Sequence, residues 1–311
     1  MALDLSVVLS TYNRSPVLKN ALERLLLQQT SGIEYEILIV DNNSTDDTRQ
    51  VVQSFVERDP HFRYIFEQRQ GLSYARNAGI AAARSDLMVF CDDDVEVSPT
   101  WVQKNYEASL RFPDADYIGG KVLPIWSGPA PEWVKASMAP FALSDLGDKP
   151  VLVSPDKPHC LIGASLAVRR RAFDKAGLFS IKTQRVKNTV GSTEDFDWQM
   201  KVWEYGGHGV YVPDIECATE VPLDRLSKAY HRRWHLGHGK FNALARRKEF
   251  EGARRLLDVP LFLYRQALEA ILYMPLCLLA GKDREAFQRE SYALFCLGFI
   301  GQRWKNQLFG H

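Results

Sequence analysis

Between residues 5 and 122 the chain alternates short β-branched, apolar runs with helical stretches of about 12 residues, and no other feature restricts its fold so strongly. Leu5–Leu9, Tyr35–Val40, Phe62–Phe66, Leu87–Cys91 and Asp116–Val122 read as strands. Val17–Gln29, a stretch ending near Arg58, Ser73–Ala83 and Pro99–Phe112 read as helices, the first introduced by Ser15-Pro16. Ser44 or Thr45 would cap the second helix, with Asp46 and Asp47 in its first turn. The pattern predicts βαβ units, hence an α/β fold with a mostly parallel sheet flanked by helices. Right-handed crossovers bring the carboxyl ends of such strands to one edge, where open sheets bind ligands. Those ends are polar here: Thr11 to Arg14, Asp41 to Ser44, and Asp92 to Asp94. No GxGxxG follows the first strand and no GxxxxGK[ST] occurs, which disfavours a dinucleotide fold and a P-loop.

Asp92-Asp93-Asp94 directly follows an apolar strand. Three adjacent carboxylates repel one another, and burying them unpaired is costly. A divalent cation would relieve the repulsion, because Mg²⁺ and Mn²⁺ prefer carboxylate oxygens and leave positions for phosphate oxygens. A solvated acidic turn is the competing explanation.

Composition is that of a globular protein, 46% hydrophobic and 25% charged. The five cysteines lack metal-binding spacing and fit a reducing compartment. The first residues carry no signal-peptide pattern, and no window of about 18 uncharged apolar residues predicts a spanning helix. The net charge of +1 conceals an asymmetry: residues 225–255 hold 10 Lys and Arg against 2 Glu. Such a segment suggests an anionic partner.

Residues 124–160 are rich in proline and read as a long excursion in which Trp126 and Trp133 pack locally. Leu166–Val168 is a further strand. Phe196–Tyr205 is an amphipathic helix with Glu194 and Asp195 at its N-terminus, where the helix dipole alone favours acids. Residues 225–250, with His231, His235 and His238, read as a solvated or anion-facing helix, since no Cys or carboxylate completes a metal set. The apolar stretches 256–280 and 291–300 read as an amphipathic pair on a membrane surface, with packing on the core as the alternative.

Taken in order, several of these segments resemble one family. They are Ser10-Thr11-Tyr12-Asn13-Arg14, Val40-Asp41-Asn42-Asn43-Ser44-Thr45-Asp46, Gly71, Ala75-Arg76-Asn77-Ala78-Gly79, Phe90 to Asp94, Gly119-Gly120, Gly163-Ala164-Ser165 and Thr193-Glu194-Asp195. The chain resembles the GT-A-fold glycosyltransferases of the large inverting family 2, over roughly residues 3 to 215. The resemblance implies a GT-A (Rossmann-like) nucleotide-sugar-binding and catalytic domain over 1–222 and a basic, apolar helical extension over 223–311. The extension loosely resembles the tails of bacterial members that build surface polysaccharides or glycolipids.

Carried over residue by residue, Thr11, Tyr12 and Asp41 would hold the base and ribose of the donor. Arg14 and Arg76 would lie near the phosphates. Asp92 and Asp94 would form the DxD-like pair that binds Mn²⁺ or Mg²⁺, with Asp92 and Asp93 also on the nucleotide-sugar. Asp195 would be the catalytic base, and Glu194 would orient it or touch the acceptor. Trp198, Arg232 and Arg233 would lie on the acceptor side. The chain departs from the family pattern at Ser165, where many members have Asn. It departs again near Thr219, where some have a metal-ligating His; His208 is the nearest and sits in a Gly-rich turn.

The implied activity is transfer of a sugar from a nucleotide-sugar, a UDP-sugar first, to a hydroxyl of a saccharide or lipid-linked acceptor in cell-surface glycan synthesis. The implied setting is cytoplasmic, with peripheral contact at the inner face of the membrane and no nucleic-acid partner; oligomeric state is open. A nucleotidyltransferase is the alternative within catalysis, but its Gly-rich first loop followed by Lys is missing. A non-catalytic carbohydrate- or membrane-binding protein on a transferase fold is the other, and retention of Asp92, Asp94 and Asp195 argues against it.

Overall fold

Seven buried residues, Leu5–Thr11, form the first strand, β1, and the first half of the chain is laid out on either side of it. The computed structural model describes residues 3–131, 133–134, 139–187, 189–245 and 252–309. On one side β1 pairs in parallel with β2 (Tyr35–Asp41), from Leu5 opposite Tyr35 to Thr11 opposite Asp41. On the other it pairs in parallel with β4 (Leu87–Asp92), with Ser10 opposite Asp92. β3 (Phe62–Phe66) adds in parallel outside β2. The polar strand ends therefore come into line at one edge, as right-handed crossovers require.

The crossovers are the helices α1 (Ser15–Leu26), α2 (Thr48–Arg58) and α3 (Leu72–Ala82). Proline near the start of α1 suits a helix whose first N–H groups lack partners anyway. α3 lies close on β1 because position 79 is glycine: a Cβ there would fall 2.3 Å from Val8 Cγ1.

Beyond β4 the sheet turns antiparallel. β5 (Val95–Val97) and α4 (Trp101–Arg111) follow β4 in the chain, and then β6 (Tyr117–Trp126), β7 (Val151–Val153) and β8 (Ser165–Arg169). After α5 (Arg170–Ala176) and α6 (Glu194–Glu204) comes the long strand β9 (Gly209–Val221). The order across the sheet is β3-β2-β1-β4-β8-β6-β9-β5, with β7 also on β9. Apolar side chains fill both faces: Leu9, Leu22, Ile39 and Trp101 on one, Val8, Phe90, Leu166 and Trp198 on the other. The sheet is thus mixed, parallel in its first four strands and flanked by helices. β5, β7 and β9 went unread in the sequence because two are three residues long and Pro213 interrupts the alternation of the third.

The chain divides into two compact units. The first is Met1–Ile125, Leu143–Ile181 and Glu194–Glu220; the second is Trp126–Ala142, Lys182–Thr193 and Val221–His311. The second contains α7 (Lys228–Ala245), a short hairpin of β10 (Arg255–Leu256) and β11 (Val259–Pro260), α8 (Leu261–Leu279) and α9 (Asp283–Phe309). The basic segment forms a half-buried helix instead of a solvated one: Tyr230, His231, Trp234, Asn242 and Ala243 of α7 are buried. Its Arg246, Arg247 and Lys248 lie outside the described residues. α7 and α9 approach through glycines, since a Cβ on Gly239 would lie 2.0 Å from the Phe295 carbonyl oxygen and one on Gly298 2.1 Å from that of Leu236. Trp126 packs edge-on to Phe141 and Trp133 edge-on to His231 and Phe287, so both are local packing residues. α8 is long and apolar enough, by length and composition, to cross a membrane. Arg265 and Glu269 interrupt the run, so it is not a window of uncharged residues, but they do not lower its average enough to exclude it.

Candidate functional site

The loops after β1 and β2 are joined to each other before any ligand is considered. Asn13 and Asn43 take left-handed conformations, φ 50° and 64°, which asparagine tolerates better than most residues. The Asn13 N–H donates to Ser44 Oγ at 3.0 Å, and Asn13 Oδ1 accepts from the Thr45 N–H at 2.7 Å. Asp46 accepts from the Ser15 N–H at 3.0 Å and the Thr48 N–H at 3.1 Å. Ser44 and Thr45 thus serve the facing loop rather than cap α2, whose free N–H is met by Asp46.

Asp41, 2% exposed at the end of β2, accepts from the Tyr64 hydroxyl at 2.8 Å and the Ser44 N–H at 2.9 Å. Burial and the bond to Asp41 push the Tyr64 phenol up to about 12. Buried Asn42 donates to the Arg69 carbonyl at 2.7 Å and accepts from the Gly71 N–H at 2.8 Å, tying the start of α3 to the end of β2. Tyr12 is half-buried beside them in the β1 loop.

The acid triplet is resolved by two arginines. Asp92 ends β4, and Asp93 and Asp94 form the turn into β5. Asp93, buried, accepts from Thr11 Oγ1 at 2.8 Å and from Arg14 Nη1 at 2.6 Å. Asp94 accepts from Arg14 Nη2 at 3.0 Å, and Asp92 from Arg76 Nη2 at 3.3 Å. Burial pushes the Asp93 carboxyl up to about 6, with Arg14 opposing and Asp94 adding. Burial works against the Arg14 charge, but Asp93 and Asp94 outweigh it.

Arg76, on the second turn of α3 and 3% exposed, is the hub of the site. Its Nη1 lies 2.6 Å from Asp195 Oδ1 and 3.5 Å from Glu194 Oε1. Burial works against this guanidinium too, and Asp195, Asp92 and Glu194 together raise its pKa above that of a free arginine. The other oxygen of Asp195 accepts from the Gly163 N–H at 2.9 Å. A Cβ on Gly163 would fall 2.4 Å from Arg76 Nη2 and 2.8 Å from Asp195 Oδ1, so any larger residue there must displace those side chains or the backbone. The Cys160 thiol nearby is pushed well up by burial, then by Asp195 and Glu194.

Thr11, Arg14, Asp93 and Asp94 therefore form one group, and Arg76, Asp92, Glu194 and Asp195 another, sharing the end of β4. Arg76 is a buried partner of carboxylates rather than an open phosphate ligand. Trp198 is corrected outright: it is fully buried, donates to the Gly177 carbonyl at 2.9 Å and packs on Phe173 and Tyr117, so no acceptor reaches it. Arg232 and Arg233 belong to the second unit, where Arg232 holds Glu290 with two hydrogen bonds of 2.7 and 3.1 Å. The roles of Asn42 and Tyr64 are not legible in the sequence: Asn42 lies at the polar end of β2, but Tyr64 is the middle residue of β3.

Among the described residues no group of three or more His, Cys, Asp or Glu could hold a metal ion by itself. Asp92 and Asp94 supply two part-exposed carboxylates, at 30% and 20% side-chain exposure. That donor set fits a hard divalent cation whose other positions are filled by water and substrate phosphate. His208 is no third ligand. Thr219 pairs with Val95 beside the acid triplet, whereas His208 precedes the opposite end of β9, on the order of 30 Å along an extended strand.

Residues 6–177 match the sequence profile of glycosyl transferase family 2, more than half of the chain. The chain is 39% identical over 101 residues to validoxylamine A glucosyltransferase of Streptomyces hygroscopicus subsp. limoneus, a match covering 32% of this chain and 22% of that one. It is 23% identical over 210 residues to glucosyl-dolichyl phosphate glucuronosyltransferase of Haloferax volcanii, 67% of this chain and 66% of that one. Its match to the first of these relatives thus spans less than a quarter of that protein's length. In structure it is similar to a mannosyltransferase of Pyrobaculum calidifontis solved with GDP-Man and Mn²⁺, with TM-score 0.63 and 17% identity over 100% of this chain and 89% of that one. It is also similar to S. aureus TarS, with TM-score 0.55 and 15% identity over 97% of this chain and 54% of that one. The strand order, the aligned acidic strand ends and the profile match lead to one assignment: the chain belongs to glycosyl transferase family 2, with a GT-A-type fold.

Proposed function

We propose that the protein is a divalent-metal-dependent, inverting glycosyltransferase that moves a sugar from a nucleotide-sugar, a UDP-sugar first, to a hydroxyl of a saccharide or lipid-linked acceptor. The observation that supports this reading best is the shared guanidinium: Arg76 reaches Asp195 at 2.6 Å and Asp92 at 3.3 Å, linking a candidate base to a candidate donor carboxylate. We assign catalysis to the first unit, which holds all of these residues.

In this reading Thr11, Tyr12 and Asp41 bind the nucleoside, with Asp41 kept in place by Tyr64. Asp92 and Asp94 would hold the cation. Bound there, Mn²⁺ or Mg²⁺ supplies positive charge against the departing diphosphate. Asp195 takes the proton of the acceptor hydroxyl as its oxygen attacks the anomeric carbon. The new C–O bond forms opposite the breaking bond to phosphate, and the nucleoside diphosphate leaves with the electron pair. Each oxygen of Asp195 already accepts one hydrogen bond, from Arg76 or from Gly163, and keeps a second lone pair for the acceptor. Five unpaired cysteines suit a cytoplasmic setting.

The test is incubation with UDP-, GDP- and dTDP-sugars and Mn²⁺, with and without candidate saccharide and lipid-linked acceptors, following nucleotide release. Release with at least one donor, lost in Asp195→Asn, is the expected result. No release from any donor with any acceptor counts against the reading.

A further inference from the structure

α8 leaves its apolar surface uncovered. From Ala270 to Ala280 it carries no charged side chain. Leu268, Leu272, Leu276 and Leu279 form a stripe at helical spacing, exposed by 57, 61, 57 and 86%. Only 17% of its most apolar 18 residues is buried, so α8 is no core helix of its own unit. Leu263, Ala267 and Ala270 are its buried residues, and the first two join the small cluster with Cys296, Phe299 and Ile300 of α9. Patches of this kind mark sites of association.

Charge distinguishes between the occupants. The second unit holds 20 Lys and Arg against 9 Asp and Glu. A second copy of the chain would bring the same positive excess against itself, whereas an anionic lipid surface is attracted by it. The ring chemistry agrees. Tyr273 of α8 is 52% exposed with the Arg289 guanidinium 5.2 Å from its centroid, and Tyr264 of the same helix accepts at its hydroxyl from Trp304 at 2.6 Å. Rings with polar tips suit a boundary that is apolar on one side and wet on the other.

Spanning is a poor alternative. α9 packs along α8 and carries Asp283, Arg284, Glu285, Arg289 and Glu290, and α8 itself carries the Arg265–Glu269 pair. Burying these at the bilayer centre is costly. We infer that α8 lies in the plane of an anionic membrane, its leucine stripe in the headgroup–acyl boundary and α9 on the water side.

The experiment is co-sedimentation of the full chain with phosphatidylcholine vesicles, with and without phosphatidylglycerol, at low and high salt. It is repeated with the double variant Leu272→Asp/Leu276→Asp, which changes exposed positions and is checked by its melting curve. The expected result is binding to the anionic vesicles that high salt weakens and that the variant loses by roughly tenfold or more. Bound protein should be released by alkaline carbonate. Three results would overturn the inference: no binding to anionic vesicles at low salt, binding that the variant retains, or a lipid-free dimer that the variant dissociates. Resistance to carbonate would overturn the in-plane geometry in favour of spanning.

Discussion

Arg76 and Asp195, 119 positions apart in the chain, meet at 2.6 Å with the arginine 3% exposed. The guanidinium also serves Asp92 and Glu194. Arg76→Leu would leave three carboxylates around an empty centre, and breaking a buried ion pair from one side costs about 3–5 kcal/mol. Urea denaturation should show a loss of that order. Arg76→Lys keeps the charge but cannot fork between Asp92 and Asp195, so it is expected to retain more stability while transfer still falls.

Asp195→Asn is expected to fold, to bind nucleotide as before and to lose about 10²–10⁴-fold in transfer. Both oxygens of Asp195 accept hydrogen bonds, and an amide offers only one acceptor, so its NH₂ must face either Arg76 or the Gly163 N–H. A modest drop in melting temperature should accompany the loss. Transfer within a few-fold of the unaltered enzyme would exclude Asp195 as the base.

Gly163→Ala probes the same spot without touching a charge. The added methyl would meet Arg76 Nη2 at 2.4 Å, and that side chain is enclosed. Arg76 or the 163 backbone must shift, and Asp195 with it. The expected outcome is a large fall in turnover that exceeds any loss of nucleotide affinity, measured by calorimetry and transfer rate on one preparation.

Metal dependence has a direct test. Calorimetric titration of UDP and GDP with Mn²⁺, Mg²⁺ or EDTA should show binding that needs the cation. Asp94→Ala should remove most of that dependence, because it removes one of two carboxylates and frees Arg14 Nη2. Equal affinity in EDTA would refute the assignment.

Acid should weaken the second unit through its histidines. Burial pulls His231 down to about 4, and His235 likewise, helped by His231 and His238. Their unfolded values lie near 6.5. Between the two, the unfolded chain binds more protons, so this stability is complete above about pH 6.5 and is lost as pH falls toward about 4. His231→Phe keeps a ring among Trp133, Phe141 and Phe287 and removes one titration. The fall in melting temperature between about pH 7 and about pH 5 should be smaller in that variant; an equal fall would rule out His231 as a source.

The parallel half of the sheet was legible because its strands are buried on both faces and its helices carry a regular apolar stripe, as in β1 with α1. β9 was not, since Pro213 and its alternating acids resemble a loop. In the site, the strand-end residues were legible as types. Their division was not: which arginine meets which aspartate is decided by α3 bringing Arg76 and the start of α6 bringing Asp195 to one point, although the two residues are 119 positions apart in sequence. Trp198, expected on the acceptor side, is instead a core residue whose indole N–H is used by the Gly177 carbonyl. His231, expected on a solvated or anion-facing helix, is a buried ring in an aromatic cluster.

The second unit is assembled from three separated pieces of chain, Trp126–Ala142, Lys182–Thr193 and Val221–His311. On a ribosome the early pieces emerge long before their partners. Trp133 has no Phe287 to meet, and the Pro140 carbonyl no Tyr230 hydroxyl, until the helices that bear them are made. The nascent chain must therefore carry the aromatic Trp126–Ala142 piece without its partners until α7 and α9 are made, the state in which chaperones find their clients. A gene cut at codon 222 would fix that state permanently.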